Sequence, residues 1–175
     1  MNTHTIVSSV SIALCVLVFV TTASSQTKGP DSKTAPTVKV MKRIAKGTFE
    51  VKVTPLAAEE NVGDATIGRL SLAKTFSGDL IGTGKGQMLG SQSEAVAGSG
   101  GYVAMERFTG TLGGKKGSFT LQHIGTMQGG KFDLDIMVVP DSGTGELTGI
   151  SGTCKIIIDG DKHFYEFAYS LLAGK

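Results

Sequence analysis

From residue 47 onward, apolar and polar positions change places at every step. Phe49, Val51 and Val53 alternate with Thr48, Glu50 and Lys52, as in a strand with one face buried. Leu70, Leu72, Lys74 and Phe76 alternate with Arg69, Ser71, Ala73 and Thr75. Tyr102, Ala104, Glu106 and Phe108 share one face of the next such run, and Val103, Met105, Arg107 and Thr109 the other. Phe119, Leu121, His123 and Met127 form a further face, as do Phe132, Leu134, Ile136 and Val138. Ile156 to Ile158, a turn at Asp159-Gly160-Asp161, and His163 to Leu171 predict a closing hairpin. No stretch of about a dozen residues carries the three-and-four spacing of an amphipathic helix. Roughly seven to nine short antiparallel strands in one domain predict a small barrel or sandwich.

A short echo favours the barrel. Ser/Thr-Gly-x-Leu-x-Gly occurs at Ser77–Gly82, Thr109–Gly114 and Thr144–Gly149, with starts 32 and 35 residues apart. Glycine lets a strand bend sharply or pass close to another backbone, as sheets do where they curl onto themselves. The leucine of each copy is expected to plug the core. Gly82, Gly84 and Gly86 leave one strand face bare, either for a ligand or for a closely coiling neighbour.

Four segments carry a resemblance: Lys74-Thr-Phe-Ser-Gly-Asp-Leu, Met105-Glu-Arg-Phe-Thr-Gly-Thr-Leu-Gly-Gly, Gly117-Ser-Phe-Thr-Leu-Gln-His-Ile-Gly-Thr and Val139-Pro-Asp-Ser-Gly-Thr-Gly-Glu-Leu-Thr-Gly. In this order and spacing they are similar to a bacterial family, domain of unknown function 3224, over about residues 47–172. The resemblance implies an eight-stranded antiparallel up-and-down β-barrel like that of plant allene oxide cyclase, distantly like dirigent proteins. Those relatives steer a cyclisation or a coupling in an apolar cavity without a cofactor. None of the cyclase's catalytic residues can be matched here position by position, and fold alone does not fix function.

Composition and charge add an address. Of 175 residues, the first 25 hold no Lys, Arg, Asp or Glu, and Ile6–Val20 is almost uninterruptedly apolar. That run is short for a membrane span and suits a signal peptide cut after Ser25, although Met1–Thr5 lacks the usual basic residue. The chain is therefore expected to be secreted or periplasmic; an uncleaved N-terminal helical anchor is the alternative. Residues 26–46 hold six basic groups against Asp31, with Pro30 and Pro36 among small polar residues, and predict a flexible basic tether. The organisation expected is thus signal peptide 1–25, tether 26–46 and barrel 47–172. Beyond the tether the body is mildly acidic, which argues against nucleic acid as a partner. The only cysteine after the leader, Cys154, adjoins an isoleucine run and reads as a buried, inert thiol.

Candidate chemistry centres on Glu106. If the Tyr102–Phe108 face lines the barrel, its carboxylate is drawn inside, where burial raises a carboxyl pKa unless cations or donors compensate. His123 shares a face with Phe119 and Leu121 on the following strand, so Glu106 and His123 form a candidate acid–base pair. A structural pair closing one barrel end competes with that reading. The opposite phase, with Val103 and Met105 inside, is left open by the pattern. Candidate ligand-binding residues are Tyr102, Phe108, Phe119, His163, Tyr165 and Tyr169, whose rings and polar tips suit a cavity for an apolar body with an oxygen. No metal site and no cofactor is expected, since His123, His163 and Glu106 lack short ligand spacing.

These residues predict an exported barrel that binds a hydrophobic or weakly polar small molecule. A cofactor-free isomerase or cyclase using Glu106 and His123 is the alternative, and a structural or homo-oligomeric envelope protein a third. Contact with a membrane is expected only through an uncleaved leader.

Overall fold

The computed structural model describes residues 41–57, 63 and 66–171. The expected signal segment, and the expected tether as far as residue 40, lie outside the described residues.

Among the described residues nine strands follow in order: β1 (Met41–Pro55), β2 (Gly68–Gly78), β3 (Leu80–Gln92), β4 (Gly100–Leu112), β5 (Lys115–Gln128), β6 (Lys131–Val138), β7 (Thr144–Gly145), β8 (Ser151–Asp159) and β9 (Lys162–Leu171). Every pairing is antiparallel. Eight strands close in the order β1-β2-β3-β4-β5-β6-β8-β9 and back to β1, while two-residue β7 hangs on β5. Closure removes the exposed sheet edges that an open sheet of this length would present. No helix occurs among the described residues.

The first strand begins earlier than the sequence suggests. Met41 to Lys46, expected in the tether, pair with β9 from Leu171 to Glu166. Here the usual cue is inverted: small Ala45 is buried while larger Ile44 faces out, flanked by exposed Lys42, Arg43 and Lys46. Lys46 stands opposite Glu166 and forms an ion pair with it on the outer face.

The interior is divided along the axis. At one end, which carries the turns at Asp79 and Gly113–Gly114, the core is solid. Phe76, Phe108, Phe119, Phe167 and Tyr169 run through it as a chain of ring contacts with centroids 5.0–5.6 Å apart. The three echo leucines, Leu80, Leu112 and Leu147, are all buried there, at 2%, 1% and 0% exposure. Ile150, from the connection between β6 and β8, joins the same core.

The other end carries the turns at Gly129–Gly130 and Gly160–Asp161, and it stays open. Inward-pointing Val53, Phe132 and Ile158 are exposed there. Ladder pairing also weakens on one side of this half: β6 and β8 share one register pair, Met137 opposite Thr153.

Candidate functional site

The strand phase is the one with Glu106 inside. Ala104, Glu106 and Phe108 are buried and Val103 and Met105 are exposed, so β4 turns its carboxylate into the barrel. Lys74 of β2 also faces inward and is buried. Strand β3 separates the two, so their backbones lie about two strand spacings apart, roughly 10 Å. They meet because β3 offers no side chain between them. Lys74 stands opposite Gly84, and Glu106 opposite Gly86. A Cβ on Gly84 would fall on Glu106 Oε1, and one on Gly86 would press into the backbone of Met105 and Glu106. The bare glycine face thus gives room to an internal ion pair.

In that pair Lys74 Nζ donates to Glu106 Oε2 at 2.7 Å. The ammonium also sits 4.9 Å from the centre of the Phe49 ring, within cation–π range. His123 reaches in from β5, whose residue opposite Ala104 it is. Its Nε2 lies 3.0 Å from the same Oε2, but off the line of a hydrogen bond. Among the described residues two buried side-chain atoms are consequently without a hydrogen-bond partner, His123 Nε2 and Glu106 Oε1. Buried groups in this condition are uncommon and call for an explanation.

Electrostatics at the centre follow from those contacts. Burial pushes the Glu106 carboxyl up, but His123 and the Lys74 ammonium beside it outweigh burial and hold it below the usual carboxylate range. The same burial pushes the Tyr102 phenol up, and the Glu106 charge adds to it. Burial drives the Cys154 thiol to about 12, despite the nearby Lys74 charge, which keeps it a thiol and an inert wall group.

Above this centre, toward the open end, lies a cavity of about 180 Å³. Val51, Leu72, Met88, Leu134 and Ile156 supply apolar walls, and Lys74, His123, His163 and Tyr102 are the residues with polar groups that line it. Glu106 does not line it. His123 lines it while its Nε2 lies beside Glu106. Met88, Tyr102 and Phe132 also border a wider mouth of about 470 Å³. Tyr102 stacks on Phe132 at 6.3 Å, its ring occupying the space above Gly125 where a Cβ would collide with it.

Among the residues expected to act, Glu106 and His123 come together, and Tyr102 and His163 border the cavity. Phe108, Phe119, Tyr165 and Tyr169 stand instead in the solid half. Tyr165 has a structural post: its hydroxyl accepts from Leu80 N–H at 2.7 Å and donates to Ser77 C=O at 3.3 Å, pinning the turn at Asp79. Lys74 is a site residue that the sequence reading does not single out. Its signal was present, a lysine on the face of Leu70, Leu72 and Phe76, followed by glycines on the next strand's inner face. Among the described residues no three His, Cys, Asp or Glu side chains converge in a way that could hold a metal ion.

Residues 45–169 match a family described as "Protein of unknown function (DUF3224)". The chain is also similar to a crystal structure of a protein with unknown function from the DUF3224 family of Shewanella oneidensis MR-1. The two share 44% identity at a TM-score of 0.67, over 78% of this chain and all of that one. No curated protein matches.

Proposed function

The chain belongs to the DUF3224 family, and from that premise we propose that its barrel is a binding protein for an apolar small molecule carrying one polar group. The observation behind this reading is the buried Lys74–Glu106–His123 centre at the floor of a cavity with apolar walls. Ligand sites combine a largely apolar lining with a few convergent polar groups in this way. A filled barrel with no task would have no reason to keep charged groups inside, where desolvation opposes them. Leu89, Val103 and Ile124 stand in one exposed row across the outer face. That row is the observation on the side of an oligomeric envelope protein, but it leaves the interior charges without a purpose.

The 3.0 Å approach of His123 to Glu106 favours a second reading, cofactor-free proton transfer in the same cavity. In it His123 handles the proton, and Glu106, outside the cavity lining but 3.0 Å from the ring, stabilises the charge that the ring gains. The likeness to allene oxide cyclase belongs with this second reading.

One experiment addresses both. The purified barrel is heated with a panel of uncharged lipophilic metabolites, and each compound is recovered afterwards for mass and NMR analysis. Stabilisation by some of them, recovered unchanged, is the expected result. Rearrangement by wild type but not by His123→Leu would move the assignment to the enzyme. No stabilisation by any compound would defeat the proposal.

The proposal includes export through a leader cut after Ser25. The intact mass of the chain recovered from its native compartment should correspond to a start at Gln26, and a chain retaining residues 1–25 would contradict this.

A further inference from the structure

The chemistry of the cavity floor selects among polar groups. We infer that the ligand's head is an uncharged oxygen acceptor, a carbonyl of ketone, aldehyde or ester type, received by Lys74; this rests on the binding reading above and specifies its ligand class.

An ammonium has three N–H donors. Among the described residues, one of those on Lys74 goes to Glu106 Oε2, and no other oxygen accepts from it. The aromatic face of Phe49 stabilises the charge without using up a directed donor. Lys74 therefore borders the cavity with donor capacity to spare, and at 7% exposure it has little water to use it on. A ligand oxygen placed there would complete its coordination.

Charge decides which oxygen. Lys74 and Glu106 already neutralise each other at 2.7 Å. A carboxylate head would add a third, unmatched charge to a site of low dielectric, close to an existing carboxylate, and would have to bring a proton with it. A hydrocarbon head would leave the spare donors unmet. An uncharged carbonyl meets them and adds no charge. An ammonium already bound to a carboxylate has no lone pair for attack on that carbonyl, so it acts as a donor and not as a nucleophile. Size agrees as well: engineered cavities of about 150 Å³ take one benzene ring, and this one measures about 180 Å³.

Three compounds of one shape separate the possibilities: acetophenone, ethylbenzene and benzoate. Binding to the purified barrel is measured by calorimetry and by the shift in melting temperature. Acetophenone should bind about tenfold more tightly than either of the others, the range for a hydrogen bond to a charged donor. Lys74→Met should erase its advantage over ethylbenzene. Should that variant not fold, the carbonyl carbon of 13C-labelled acetophenone reports directly on the wild-type protein, moving downfield when an ammonium bonds the oxygen. An unmoved resonance in bound ligand overturns the inference. Benzoate binding tightest, or all three binding alike, overturns it too while the cavity reading stands. Binding by none counts against the cavity reading itself, and this inference falls with it.

Discussion

Replacing Glu106 with leucine should lower the stability of the barrel by about 3–5 kcal/mol, the range for removing one partner of a buried ion pair. The loss would come from the partner left behind. Lys74 has only 6% of its side chain exposed, and without Glu106 its charge faces aromatic rings and a histidine. Lys74→Met combined with Glu106→Leu should recover most of the loss, because an apolar pair of similar volume carries no desolvation penalty. Urea denaturation midpoints of the wild type, both single variants and the double variant make the cycle. A Glu106→Leu barrel as stable as wild type would remove the ion pair as a determinant of the fold.

The same variant fixes a pH signature. The Glu106 carboxyl titrates below its ordinary value of 4.5 in the folded chain. A carboxyl with a lowered folded pKa stabilises fully above its unfolded pKa, and the contribution is lost as pH falls through the folded value. Wild type should therefore lose stability below about pH 4.5, and Glu106→Leu should lack that share of the slope.

Phe119→Ala should cost a comparable amount, about 3–5 kcal/mol, for the cavity it opens in a packed core. Phe119 is fully buried, 5.0 Å from the Phe108 ring and stacked at 5.4 Å on Phe167. The effect on ligand affinity should nevertheless be small, because the ring lies in the solid half. Leu134→Ala makes the converse case: half-buried on the cavity wall, it should cost less stability and more affinity. Midpoints together with calorimetry for both variants test this separation. Equal losses of affinity would show that the two halves of the barrel do not work independently.

Much of this arrangement is legible in the sequence because two-residue periodicity is a direct record of which side chains point inward. The alternation through Phe49, Leu72, Phe108 and Phe119 gives strand identity, and the three echo leucines give the plug. The proximity of Glu106 and His123 follows from consecutive strands joined at Gly113–Gly114. Lys74 is harder to place because its partnership with Glu106 spans a third strand. Nothing local says that side chains from β2 and β4 will meet, and only the bare face at Gly84 and Gly86 allows them to. The solid and hollow halves are invisible for a similar reason. Phe108 and Tyr102 have the same period and the same face, and their depth along the axis depends on how the strands are staggered around the cylinder. The start of β1 is obscured by basic residues that read as a tether, whereas in the barrel Lys42 and Lys46 stand with Ile44 on the outer face of a paired strand.

The single rung between β6 and β8 bears on how anything enters. Phe132 and Leu134 on one side, and Ile156 and Ile158 on the other, border the inner cavity where these strands share no register pair beyond Met137 and Thr153. With a single register pair, this seam holds by fewer ladder contacts than the other seams of the cylinder, so the flank beside the open mouth is where the wall yields most easily. A guest coming through the mouth would meet greasy lips on that side and arrive already in contact with the walls that hold it, while the leucine plug at the far end stays shut.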